Sequence, residues 1–450
     1  MCIYQYKVFL LVPYLRAITT NPIKMRNFIV GGFFLLGTLL SAQNTYLQCG
    51  KVMEMESGKL LSEQTIVVSG KKIIAIEKGY TSGDGNGIVV DLKNKTVLPG
   101  FIDMHVHIEG ESSPKAYIER FTLNDADVAL QSTVYAKRTL MAGFTTVRDL
   151  GGSGVNIALR NAINSGKVDG PRIFTAGKII SSTGGHGDPT NGMRKEFAGD
   201  PGPKEGVVNS PEDAKKAVRQ RYKDGADVIK ITATGGVLSV AKSGQNPQFT
   251  IEEIEAVTQT AKDYNMLTAA HAHGDEGMQR AIKGGIKTIE HGTLMSDETM
   301  DLMVNYNSFL VPTITAGKQV TEKAKIKGFF PDVVAKKASE IGPKIQGMFS
   351  RAYKKGVPIA FGTDAGVFPH GENAREFVYM VEAGMPEVKA LQSATITNAD
   401  LLGMGDSLGQ LKKGFIADII AVDENPMQNI ETLKEVVFVM KEGAIYKSEL

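Results

Sequence analysis

The sequence predicts an α/β fold, a (β/α)8 TIM-like barrel with a small β-sandwich domain formed by both chain ends. Two observations point to it. Short strand-like segments separated by glycine and polar turns occur near both ends of the 450-residue chain. Between them, eight apolar strand-like runs are each followed by a helix or a long loop, the pattern of such a barrel. An open sheet of six or seven strands would give a similar pattern and stays an alternative.

Residues 1–42 are expected to be a leader and signal peptide. Lys24 and Arg26 precede the short apolar run "FIVGGFFLLGTLL", and the small residue Ala42 follows, as in a secretory signal. The run is shorter than the roughly 20 residues of a membrane span. Met25 offers a start, which leaves the translation of residues 1–24 open. We expect an exported, periplasmic or extracellular protein without a stable membrane anchor after cleavage; an anchor kept in the mature protein is the alternative.

The charge and cysteine content of the chain limit the kinds of molecule that it is expected to bind. The chain has 51 basic and 49 acidic side chains and a net charge of +2, so no polybasic field favours nucleic acid or an anionic membrane surface. Of the two cysteines, only Cys49 would survive signal cleavage, which excludes an internal disulfide. We therefore expect a small-molecule substrate, and homo-oligomerisation stays open.

The strand-like segments divide the mature chain into three parts. Residues 43–98 contain "TIVVSG", "KKIIAIEKG" and "GIVVDL", and residues 409–450 contain "ADIIAVD" and "VVFVMKEGAIY"; together they form the predicted β-sandwich. Residues 99–408 form the predicted barrel.

Two helices of the barrel are marked by signals at their first residues, and a third is predicted without one. Ser210 precedes a proline and two acids and predicts a helix over Pro211–Asp224. A capping box, Thr250 with Glu253, starts a helix over 250–264. A third helix is predicted over 332–355.

The unusual polar residues fall at the strand ends, where barrels of this kind carry their chemistry. They are His105 and His107 on the first strand, His186 after the third, Lys230 in the fourth, His271 and His273 on the fifth, His291 on the sixth and Asp364 on the eighth. Residues i and i+2 of a strand share a face, so two imidazoles of "HVH" can reach one point. A single such histidine is commonly a hydrogen-bonded structural residue, but this gathering favours a site.

Imidazole and carboxylate are ordinary ligands of zinc and similar divalent ions. One catalytic ion usually takes three protein ligands, so four histidines and an aspartate predict two ions, with zinc expected. Lys230 lies in the apolar strand "DVIKI", where burial lowers its pKa. A neutral amine can add carbon dioxide to become N6-carboxylysine, an anionic ligand able to bridge both ions. The alternative is a salt bridge to an interior acid.

"PGFIDMHVH", "DVIKI", "AAHAHG", "IEHGT" and "FGTDAG" resemble, in order, the signature of the amidohydrolase superfamily, and the resemblance spans residues 45–447. It implies one ion held by His105, His107 and Asp364, a second held by His271 and His291, and carboxylated Lys230 between them.

"SSTGGHGDP", "KITATGGVLS", "AHAHG" and "PHGENAREF" resemble the branch of Xaa-Pro dipeptidases and related carboxypeptidases, with imidazolonepropionases as more distant relatives. The resemblance implies that His186 polarises the scissile carbonyl. His273 stands where some Xaa-Pro enzymes have a tyrosine, which points to a leaving residue other than proline. We expect His273 and His370 to bind a substrate carboxylate.

The predicted function is therefore binuclear metal-dependent hydrolysis of the peptide or amide bond of dipeptides or N-acyl amino acids. Asp364 is expected to take a proton from the attacking water and pass it to the departing amine. Hydrolysis of a cyclic amide or lactone is an alternative. A second alternative is an exported metal- or solute-binding protein without activity.

Overall fold

The computed structural model describes residues 43–450; the predicted leader, the signal peptide and Cys2 lie outside the described residues. The strands are β1 Thr45–Glu54, β2 Lys59–Ser69, β3 Lys72–Lys78, β4 Ile88–Pro99, β5 Phe101–Val106, β6 Phe144–Asp149, β7 Arg172–Thr175, β8 Val228–Thr232, β9 Leu267–Ala272, β10 Thr288–His291, β11 Phe309–Val311, β12 Ile419–Val422, β13 Val436–Lys441 and β14 Ala444–Ser448.

The α-helices are α1 Ala116–Thr122, α2 Asp125–Met141, α3 Val155–Asn164, α4 Lys195–Ala198, α5 Pro211–Asp224, α6 Ile251–Asp263, α7 Asp275–Lys283, α8 Asp297–Asn305, α9 Ile314–Ala324, α10 Asp332–Ile341, α11 Ile345–Lys355, α12 Arg375–Glu382, α13 Glu387–Gln392 and α14 Asn398–Leu401. Short 3-10 turns occupy Gly342–Lys344 and Ile430–Lys434, and a π-helical turn occupies Ser393–Thr397. None of the helices in the described part of the chain has the length and apolarity needed to cross a membrane.

Both ends of the described chain build one seven-stranded sheet with the order β14-β13-β12-β4-β1-β2-β3. The junction is the antiparallel pairing of β12 with β4, which places Ile419 opposite Pro99. The sheet curls, because Lys72 at the start of β3 bridges to Ile416 just before β12. Its apolar side chains, such as Leu47 and Phe438, pack into a core of their own. The chain ends thus combine as the sequence predicts.

The barrel consists of two parallel arcs, β5-β6-β7 and β8-β9-β10-β11. Backbone hydrogen bonds join the arcs: Asp227 donates to Thr175 on one side (2.7 Å). On the other side, residues 358–365 take the place of the eighth strand. Leu310 donates to Pro358 (2.8 Å), Met104 to Phe361 (3.0 Å) and Asp364 to His105 (2.7 Å). The predicted barrel fold is confirmed.

The two helices with strong start signals form where the sequence predicts them. α5 begins after Ser210, whose hydroxyl accepts from the amide of Asp213, and α6 begins after Thr250 with its capping box formed. These caps satisfy backbone N–H groups that the first helical turn leaves without partners.

The single helix predicted over 332–355 is wrong, because a 3-10 turn at Gly342–Lys344 divides it into α10 and α11. Pro343 has no N–H to donate, and its ring collides with the preceding turn of a continuous α-helix. The break has a consequence for the site, since Gly342 at this turn lines the central cavity.

Candidate active site

One cavity at the carboxyl ends of the barrel strands brings together most of the polar residues singled out in the sequence. Its polar wall contains His105, His107, His186, Lys230, His271, His273, His291 and Asp364. Six different strands or strand ends supply these side chains, so only the closed barrel can assemble them.

Three lone pairs converge at the first strand of the barrel. His105 Nδ1 donates to the Glu290 carboxylate (2.8 Å) and His107 Nδ1 donates to the Gly151 carbonyl (2.7 Å), because both partners can only accept. The proton of each neutral ring therefore sits on Nδ1, and each Nε2 carries a lone pair. These Nε2 atoms lie 3.5 and 3.4 Å from Asp364 Oδ1.

Such an arrangement is suited to a cation. Within residues 43–450, neither His105 Nε2 nor Asp364 Oδ1 has a hydrogen-bond partner, although both atoms are buried. Buried polar atoms are normally paired, and lone pairs that face each other repel. A divalent ion bound by His105, His107 and Asp364 would remove this repulsion. The donor set therefore fits the first of the two ions that the sequence predicts.

A second group of donors lies beside the first. His271, His273 and His291 each offer a ring nitrogen, and these nitrogens lie within 4.8 Å of one another. His271 Nε2 donates to the Gly235 carbonyl (3.2 Å), which leaves Nδ1 free as a ligand. His291 also groups within 4.8 Å with His105 and Asp364, so it lies between the two sets. The geometry adds His273 to the pair that the family resemblance implies.

Burial keeps these imidazoles neutral, as metal ligands must be. It lowers the pKa of His107 to about 4 and of His273 to about 3. The pKa values of His105, His271 and His291 fall well below their usual range for the same reason. Burial has the opposite effect on Asp364 and raises its pKa, because an ionised carboxylate is costly in this cavity without a nearby positive charge.

Lys230 points into the same cavity and is 3% exposed. Burial lowers its pKa, while the charges of Glu290 and Asp364 oppose that shift. Among the described residues, Lys230 forms no ion pair within 4.0 Å, so the salt bridge considered from the sequence is not formed. A buried amine of lowered basicity, next to two groups of metal donors, fits the carboxylation that the sequence predicts for it.

The sequence reasoning missed a buried ion pair beneath the site. Glu290 Oε1 accepts from Arg148 (2.9 Å) and from the Thr288 hydroxyl (2.5 Å), while its other oxygen holds His105. Glu290 and Arg148 both have no exposed surface. Glu290 lies in the strand run "TIEH" and Arg148 in the strand run "FTTVRD". A charged residue inside such a run is the signal that singled out Lys230, but it was not applied to these two residues.

Three site residues hold a backbone conformation that is rare outside glycine. His291, Thr313 and Asp364 have φ values of +70°, +52° and +62° at the ends of neighbouring strands. Such residues cost about 1–3 kcal/mol each and persist where the surrounding structure enforces them. A hydrogen bond of 2.7 Å between His291 Nδ1 and the Thr313 hydroxyl is one such constraint.

His186 and His370 differ in what they face. His186 lines the cavity, stacks on His271 with ring centroids 4.3 Å apart, and has a buried Nδ1 without a hydrogen-bond partner in the described chain. The structure does not bring His370 to the cavity. Its ring is buried against Tyr135 and contacts the Gly110 carbonyl (3.1 Å) and the Thr139 hydroxyl (3.5 Å).

The sequence pattern of the Amidohydrolase family matches residues 96–446, which include every polar residue of the cavity. The chain belongs to the amidohydrolase family. This amidohydrolase is 53% identical to a Xaa-Pro dipeptidase whose crystal structure has methionine bound in the active site. The match has a TM-score of 0.88 and covers 90% of this chain and 100% of the other.

Two relatives place the chain within the family. The ochratoxinase of Aspergillus niger is 32% identical over 371 residues, which cover 78% of this chain and 75% of that enzyme. An imidazolonepropionase of Caldanaerobacter subterraneus is 24% identical over 415 residues, which cover 83% of this chain and 87% of that enzyme. The chain is thus a hydrolase that acts on amide bonds, in the branch that the sequence motifs indicate.

Proposed function

We propose that this amidohydrolase binds two divalent ions, with zinc expected, and hydrolyses dipeptides or N-acyl amino acids. The observation that carries the proposal is the pair of adjacent donor groups. His105, His107 and Asp364 would hold one ion, and His271 and His291 the other, with carboxylated Lys230 between them. When bound, such ions polarise a carbonyl group and lower the pKa of a water molecule towards neutrality.

The chain's own residues would then move the protons. The donor cluster consists of His105, His107, His271, His273, His291 and Asp364. Asp364 would take the proton of the attacking water, because its Oδ1 faces the other members of this cluster. It would pass this proton to the amine as the amide bond breaks, which an amide requires because its unprotonated nitrogen leaves poorly. His186 would donate a hydrogen bond to the carbonyl oxygen as negative charge develops there.

The rest of the cavity wall indicates the substrate class. Apart from Thr232, Thr293 and Thr313 near the strand ends, it is apolar. This apolar wall comes from the loops after the third, fourth and eighth barrel strands and from the helices after the seventh: Ile179, Val237, Leu238, Ala316, Gly317, Val320, Ile341, Gly342, Ile345 and Val367. No arginine, and no carboxylate other than Asp364, lines this cavity among the described residues. We infer that the substrate carries an apolar side chain beside the scissile bond. The bound methionine of the 53% identical Xaa-Pro dipeptidase supports this inference.

Substrate profiling with metal analysis tests the proposal. We expect about two divalent ions per chain and hydrolysis of dipeptides and N-acyl amino acids. At one residue position of the substrate, kcat/KM should be at least about 10-fold higher for methionine or leucine than for aspartate or lysine. A difference of about 10-fold is the smallest effect expected from even one methylene group in an apolar pocket. Imidazolone propionate and a lactone series belong in the same panel. Turnover confined to those cyclic compounds would replace the proposal with the alternative function.

A substitution beneath the metal site tests the role of Glu290. Glu290→Gln is expected to weaken metal binding by about 10- to 100-fold, since partners that orient a ligating histidine have effects of that size. It also leaves Arg148 buried without its counter-charge, which should lower the free energy of unfolding by about 3–5 kcal/mol. Metal titration and denaturant unfolding measure the two effects. Glu298→Gln, an exposed change on α8, is the control; equal metal affinity in both variants would contradict this role.

A further inference from the structure

A long loop roofs the cavity. It leaves the fourth barrel strand at Ala233 and returns at Gln248, whose amide donates to the Ala233 carbonyl (2.9 Å). A second backbone hydrogen bond, from Gly235 to Asn246 (3.0 Å), closes the base of the loop. Val237 and Leu238 project from it into the cavity, and Leu238 also lines a second, outer pocket. Leu238 therefore lies at the boundary between the cavity and the outer pocket, and His107 and Val367 also line both.

A lysine from a distant helix holds this loop. Lys337 of α10 is 5% exposed, and its ammonium donates to three loop carbonyls, those of Gly236 (2.6 Å), Ser239 (2.7 Å) and Ala241 (2.8 Å). It has no carboxylate partner within 4.0 Å in the part of the chain that the structure describes. Buried lysines without a counter-charge are rare because desolvating the ammonium is costly. Three charge-assisted hydrogen bonds offset that cost only while the loop keeps this conformation.

The loop also contacts the reacting groups. The Gly236 backbone packs against the His186 ring so closely that a β-carbon at Gly236 would collide with it. The carbonyl of Gly235 accepts from His271 Nε2 (3.2 Å). A second tether lies at the tip, where the Tyr117 hydroxyl donates to the Leu238 carbonyl (2.6 Å). A shift of this loop would therefore displace Leu238 and His186 together.

We propose that Lys337 is a positioning residue that latches residues 235–247 over the cavity and so fixes Leu238 and His186 against the substrate. Lys337 does not line the cavity, and its ammonium donates hydrogen bonds to the loop carbonyls. Its positive charge also helps to lower the pKa of His186 and of His273, so loop exchange is the measurement that isolates its effect on the loop. Its effect on turnover rests on the proposed function, whereas its effect on the loop does not.

Lys337→Met tests the latch, with Lys336→Met, the exposed neighbour on the same helix, as the matched control. We expect amide hydrogen exchange in residues 235–247 to accelerate at least 10-fold in Lys337→Met and to stay unchanged in Lys336→Met. We expect KM to rise at least 10-fold, with a smaller fall in kcat and an unchanged metal content. Tyr117→Phe, which removes the other tether, should also accelerate loop exchange and raise KM, each by a smaller factor than Lys337→Met.

Chemical rebuilding of the side chain separates a latch from a general packing role. Lys337→Cys treated with 2-bromoethylamine regains an ammonium at nearly the original length, with treated wild type as the control for reaction at Cys49. The treated variant should recover slow loop exchange and low KM. Equal loop exchange in Lys337→Met and Lys336→Met, or no recovery after treatment, would overturn the proposal. If the wild type hydrolyses no dipeptide or N-acyl amino acid, the proposed function fails, and the exchange result still decides the latch.

Discussion

Lys230→Ala is expected to lower kcat/KM by at least about 1,000-fold and to reduce bound metal from about two ions per chain to one or none. In the proposed site, carboxylated Lys230 would be the one protein ligand shared by both ions, so its loss is expected to weaken the binding of both. Charge stabilisation by such ions amounts to several kcal/mol, and about 4 kcal/mol corresponds to about 1,000-fold in rate. Metal analysis and steady-state kinetics on the same preparation measure the two effects.

The matched control is Lys287→Ala. Lys287 is also a lysine whose pKa burial lowers, but it lies at the amino end of β10 and donates to the Asn307 carbonyl (2.7 Å). This variant should keep its metal and its activity. Carbon-13 NMR of wild type equilibrated with labelled bicarbonate should give one carbamate signal that Lys230→Ala lacks. Full activity in Lys230→Ala would contradict the bridging role.

The clustering of the site histidines could be predicted from the sequence because two simple rules govern their positions. Parallel strands of a barrel all end at one rim, and alternation along a strand directs i and i+2 to one side. These rules place His105, His107 and His291 at one point without knowledge of any distance. They also place His273 beside His271, and the structure groups both with His291. Strand position alone could not decide whether His273 binds metal or substrate.

The residues that the sequence did not reveal act through contacts between distant segments. The pairing of Glu290 with Arg148 joins the sixth and second strands, and Lys337 meets its three carbonyls about 100 residues away along the chain. No local pattern encodes such partners. His370 shows the converse, since it follows the eighth strand closely but packs against Tyr135 instead of facing the cavity. Proximity to a strand end is a weaker signal than position on the strand itself.

Asp364→Asn is expected to lower kcat by about 1,000-fold for amide substrates. General acid–base groups contribute about 100- to 10,000-fold, and an asparagine amide can neither accept the proton of the attacking water nor deliver it to the amine. The substitution is well matched to the site, because asparagine adopts a positive φ more readily than most residues and Asp364 has a φ of +62°. The loss can therefore be attributed to chemistry and not to backbone strain.

The leaving group separates proton delivery from metal binding in the same variant. An ester analogue of a good amide substrate has a leaving oxygen that needs little protonation, so Asp364→Asn should lose at least about 10-fold less activity on the ester than on the amide. A lost metal ligand would instead reduce both reactions alike. Equal losses on ester and amide, together with a reduced metal content, would assign Asp364 to metal binding alone. Another group would then protonate the departing amine, and His186, which lines the cavity, would be the first residue to test.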